Sequence, residues 1–68
     1  MNMQEFTPTE KGLIYGMRQF HLTPEEAFWI FEVLETEENR RKMLHYLAGH
    51  LQATKNEIIE EVDRITGR

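Results

Sequence analysis

Apolar residues are packed most densely between Thr23 and Glu35, where seven of thirteen positions are apolar. At about 100° per residue, Ala27, Phe28, Ile30, Phe31 and Leu34 cover one broad face of a helix. Trp29 and Val33 fall on the other side, beside Glu25 and Glu26. The pattern predicts a short helix of residues 24–35, apolar on both sides, with other helices packed onto it. Upstream, Leu13, Met17 and Phe20 form one stripe with Ile14 beside it, predicting a helix of residues 8–20. Residues 1–6 read as a lead-in, frayed apart from Phe6.

Both helices open on the same signal. Thr7-Pro8-Thr9-Glu10 and Thr23-Pro24-Glu25-Glu26 each place Thr at the N-cap, Pro at the first helical position and Glu at the third. Pro24 also keeps Thr23 out of helical geometry, so the first helix ends before it. Leu22 and Ala27 stand at the hydrophobic-staple positions around this cap. Gly12 and Gly16, one turn apart, cost helix propensity; they read first as simply tolerated in a packed helix, and otherwise as a spacing that lets another backbone approach.

Thr36-Glu37-Glu38-Asn39 is a third, weaker cap, and Thr54-Lys55-Asn56-Glu57 a fourth. The last raises the main structural question, because the apolar phase runs straight through it. With Leu44 at 0°, Leu47, Leu51, Thr54, Ile58, Val62 and Ile65 lie between about 280° and 360°. No Pro or Gly interrupts the chain at Thr54. The expected fold is therefore all-α: a small single-domain bundle of two short helices (8–20, 24–35) and one long helix (37–66). A break near Thr54 would instead give a four-helix arrangement. Gly67 suits a left-handed C-cap in either case.

A thirty-residue helix spans about 45 Å, more than twice the length of either short helix. Its second half would then leave Ile58, Ile59, Val62 and Ile65 uncovered, and each such side chain contributes about 1.5–3 kcal/mol when buried. Self-association through that stripe, as a homodimer, is the expected remedy. Trp29 and Val33 are the expected contact patch for a different protein, since a large aromatic outside the core is a typical anchor.

Composition narrows the chemistry. A chain of 68 residues makes at most one domain and buries only roughly 60% of its unfolded surface. It contains no cysteine, so neither a disulfide nor a Cys-based zinc site supplements the core. The longest apolar run, residues 27–31, is far too short to span a bilayer, and a soluble, cytoplasmic protein without membrane association is expected. A net charge of −4 argues against general phosphate-backbone binding.

Candidate sites are few. His45 and His50 are five residues apart and do not share a helix face, and His21 lies at a helix end, so no metal site is predicted. The carboxylates fall in first turns and on wet faces. With neither Ser nor Cys in the chain, no enzyme and no cofactor is expected. Arg40-Arg41-Lys42 is the one basic run, offset by Glu37 and Glu38. These observations favour a small acidic interaction module, a regulator or adaptor. The alternative is a helix-turn-helix-like nucleic-acid regulator using Arg40, Arg41 and Lys42, although Glu25 and Glu26 at the start of the second helix would repel phosphate.

Overall fold

The computed structural model describes residues 6–67; of the lead-in expected at residues 1–6, all but Phe6 lies outside them. The described residues form four helices: α1 (Pro8–Arg18), α2 (Pro24–Leu34), α3 (Glu37–Gly49) and α4 (Lys55–Thr66). There is no strand among the described residues. None of the helices is long and apolar enough to cross a membrane.

Each helix starts where a threonine accepts a backbone N–H. Thr7, Thr23 and Thr54 complete reciprocal capping boxes with Glu10, Glu26 and Glu57. In the last of these, Thr54 N–H donates to Glu57 Oε1 at 2.8 Å and Glu57 N–H donates to the Thr54 hydroxyl at 3.2 Å. Thr36 accepts from Asn39 N–H at 3.1 Å without a return bond. Asn39 uses its side chain differently, donating Nδ2–H to the Leu34 carbonyl at 3.0 Å and so tying α3 to the end of α2. Gly67, at φ 77°, closes α4 in the left-handed conformation.

The core is built from one i, i+4 pair per helix: Leu13 and Met17, Ile30 and Leu34, Met43 and Leu47, Ile58 and Val62. These spacings put both members on one face of their helix, so four narrow stripes meet around a common centre. The most extensive packing is between α1 and α3. A Cβ at Gly12 would stand 3.3 Å from Leu44 Cδ2, tighter than an ordinary contact, whereas one at Gly16 would stand 3.7 Å from Leu47 Cδ1. A side chain at position 12 would make Leu44 shift by a few tenths of an ångström, whereas one at 16 would meet only ordinary contact.

The long helix expected over residues 37–66 is not formed. α3 ends at Gly49, and His50 leaves helical geometry at φ −135°, ψ 63°. The Ala53 N–H then closes a turn on the His50 carbonyl at 3.0 Å. The longest dimension of the molecule is 29 Å, too short for a helix of about 45 Å. Two effects favour the break: the complete capping box at Thr54, and the return of Ile58 and Val62 to their own chain's core, where both are fully buried. The self-association stripe is corrected with it. Ile58 and Val62 have no surface to offer, Ile65 packs against the core and Ile59 is half-buried. Leu51, in phase with them by sequence, sits in the turn and is exposed.

The α2–α3 connection is strained. Glu35 adopts φ 67°, ψ −52°, and Thr36 N–H bonds the Leu34 carbonyl at 2.7 Å across it, which defines a tight γ-turn. A side chain is costly in that region and glycine is not. Glu35→Gly is expected to raise stability by about 1 kcal/mol in urea unfolding, while Glu35→Ala, which keeps the Cβ, should give no such gain.

Candidate functional site: an apolar groove between two helices

α1 and α2 diverge on one side of the bundle and leave an open groove of about 720 Å³. Ile14, Met17 and Arg18 line it from α1, and Leu22 from the connection. Pro24, Ala27, Phe28, Phe31 and Glu32 line it from α2, and Phe6 closes one end. The α2 residues recur at the spacing of a single helix face. Phe6 meets the Phe31 ring edge-on, with centroids 6.0 Å apart, which fixes that wall. Eight of the ten lining residues are apolar; the two charged ones, Arg18 and Glu32, have opposite signs. Neither takes part in an ion pair among the described residues, where the pairs are Arg40–Glu10, Lys55–Glu26 and Arg64–Glu61.

Phe28 stands at the lip and is 66% exposed. The broad apolar face of α2 spans about 160° of the helix, more than its neighbours cover, and Phe28 lies at the far edge. Trp29, the next residue, turns about 100° away toward the α4 flank. There Glu26, one turn earlier, pairs with Lys55 Nζ at 2.8 Å. Trp29 is 41% exposed, but Val33 is half-buried against the core. The expected Trp29/Val33 patch and the groove thus lie on opposite flanks of α2.

The basic run is divided by the fold. Arg40 is drawn inward: its Nε–H and Nη2–H donate to the Phe31 carbonyl at 3.1 and 2.9 Å, and Nη1 pairs with Glu10 Oε2 at 3.0 Å. Its guanidinium carbon lies 3.8 Å from the centre of the Phe31 ring. Arg40 is thereby withdrawn from the expected nucleic-acid contact, leaving only Arg41 and Lys42 exposed. They share a helix with Glu37 and Glu38, and two cations in that setting make a poor phosphate track.

His50 stacks on Tyr46 with ring centroids 4.2 Å apart, and its Nδ1 lies 2.8 Å from the Tyr46 carbonyl. His21 and His45 are exposed. No group of three potential metal ligands converges among the described residues. Partial burial, with Glu57 and Glu61 nearby, pushes the Tyr46 hydroxyl above its usual range. The Lys55 ammonium and the Thr23 backbone N–H hold the Glu26 carboxyl below its usual 4.5. Hydrogen bonds from the Thr54 backbone and hydroxyl do the same for Glu57.

Both carboxylates are favoured in the folded state, so their contribution is present above the unfolded value near 4.5 and lost as pH falls through the lower folded values. The thermal midpoint should therefore drop as pH is lowered below about 4.5. Glu57→Gln keeps an acceptor for Thr54 N–H but cannot titrate, and should flatten that decline.

Comparison with protein-family models, with curated proteins and with solved structures gives no match. The groove itself was not legible in the sequence, because it exists only once α1 and α2 are docked. One signal pointed to it: the apolar face of α2 is too wide for a core fed by one stripe per helix.

Proposed function

We propose that the chain is a small protein–protein interaction module, a regulator or adaptor, that works through the α1–α2 groove with Phe28 at its lip. One observation carries this reading. Phe28 remains 66% exposed beside a large apolar groove, while eight side chains make up the buried core among the described residues. Exposed apolar surface of this kind favours aggregation and does nothing for the fold, so it implies a use in binding. An apolar groove between two helices suits a partner surface that inserts side chains at helical spacing. Trp29 offers a second, separate contact on the opposite flank.

The test is a photo-crosslinking amino acid placed at Phe28 in cells expressing the protein, with Lys42 as the control position. Discrete protein adducts at position 28 and none at position 42 are expected. Absence of protein adducts at position 28 overturns the proposal. Phe28→Ser should meanwhile change folding stability by less than about 1 kcal/mol, as befits a surface residue. Trp29→Ala, if that side chain is a contact, should weaken association more than it lowers thermal stability.

A further inference from the structure

We infer that the occupant of the groove is a second copy of the chain, related by a twofold axis, with Phe28 of each copy entering the other's groove and Arg18 facing the partner's Glu32. The inference rests on the reading of this groove as a docking surface and names what docks there.

A twofold interface uses the same patch twice, so that patch must be complementary to itself. This one is so in shape, because it holds both a knob and a recess: Phe28 projects from the wall of the groove that it lines. It is so in charge as well. Arg18 and Glu32 both lie on the groove and neither has an ion-pair partner among the described residues. Rotated onto itself, such a patch forms two Arg18–Glu32 pairs at once. A foreign surface would have to supply an acid and a base at matching positions.

Net charge points to the same face. The chain carries −4, so two copies repel in most orientations. The charged groups lining the groove sum to zero, one Arg against one Glu, so the groove itself adds no net repulsion. A standard interface takes about 800 Å² from each partner, so the contact must reach beyond the groove to its rim. Tyr15, 55% exposed and about 60° round α1 from Arg18, extends the apolar rim on that side.

Sedimentation equilibrium between about 1 μM and 1 mM should show the mass rising from 8.2 kDa toward twice that value. Phe28→Asp should weaken the dimer by at least about thirtyfold while circular dichroism and the thermal midpoint stay near those of the wild type. Arg18→Glu and Glu32→Arg should each weaken it by roughly tenfold, since one substitution spoils both symmetric pairs. Mixing these two variants is decisive, because each then offers the other two correct pairs. The mixture should dimerise about as tightly as the wild type.

A wild-type chain that stays monomeric throughout overturns the inference. So does a dimer indifferent to Phe28→Asp, or a pair of charge variants that fails to recover on mixing. If the chain is monomeric while position 28 still crosslinks to other proteins, the docking surface stands with a foreign occupant. If neither occurs, both readings fall together.

Discussion

Val62→Glu is expected to unfold the protein outright, with loss of the helical circular dichroism signal at 25 °C and no folded monomer left behind. Val62 is fully enclosed by the other core residues of the bundle, and no buried polar side chain stands among them to receive a carboxylate. An unpartnered charge there costs several kcal/mol or drives uptake of a proton, and either outcome wastes the burial that holds α4 in place. A single core of this size seldom supplies more than about 3–5 kcal/mol, so no reserve remains. Ile58→Ala is the milder companion. Deleting those methyl groups leaves a cavity and should cost about 2–5 kcal/mol, enough to leave much of the population unfolded at room temperature. A helical, folded monomer from Val62→Glu would return this residue to a surface stripe and contradict the four-helix core.

That experiment bears on how the fold can be read from the residues. The starts of α1, α2 and α3 are legible, because Thr7, Thr23 and Thr36 announce them through local chemistry that needs no tertiary contact; Thr54 carries the same signal, but the expected long helix runs through it. The ends of α1 and α2 fell within two residues of expectation. The expected helix over residues 37–66 does not form, because a common apolar phase does not outweigh the capping box at Thr54. Leu47, Ile58 and Val62 keep a common helical phase although a five-residue turn separates them, and Leu51, which shares that phase, is wet. Phase describes which residues can share a face of one helix; it does not require them to belong to one helix. The large cost of leaving Ile58 and Val62 uncovered was the better guide, since folding α4 back removes it within a single chain.

Site residues were legible to the extent that they depend on local pattern. Trp29 is expected outside the core and is partly exposed, but Phe28, on the broad apolar face, is exposed too, because that face is wider than the core it meets. Arg40 shows the opposite limit. Within its basic run it is indistinguishable from Arg41 and Lys42. Only the approach of Glu10 and of the Phe31 carbonyl, thirty and nine residues away in sequence, sets it apart.

Arg40→Ala is accordingly expected to cost about 3 kcal/mol in urea unfolding, the largest loss for any charged residue of the chain. The guanidinium joins three helices. It gives two hydrogen bonds to Phe31, whose carbonyl is among the last four of α2 and has no partner within that helix. α2 carries no basic residue of its own in its last turn, so Arg40 also supplies the positive charge that the helix dipole favours there. Its remaining arm reaches Glu10 Oε2, while Glu10 Oε1 accepts the Thr7 N–H at 2.9 Å, so one carboxylate serves both the α1 cap and the ion pair. The Arg40 and Glu10 side chains are only 13% and 17% exposed, which limits solvent screening of the pair. Arg40→Lys should recover less than half the loss. A single ammonium cannot bridge the Phe31 carbonyl and Glu10 while lying flat on the Phe31 ring. Glu10→Gln, which retains an acceptor for the cap, should cost only about 1 kcal/mol. The Arg40→Ala and Glu10→Ala losses should be non-additive by about 1–2 kcal/mol in a double-mutant cycle. If Arg40→Ala instead melts like the wild type, its side chain is free at the surface and the basic run regains its third member for binding phosphate. A large, coupled loss confines that run to Arg41 and Lys42 and gives Arg40 wholly to the scaffold behind the Phe31 wall of the groove.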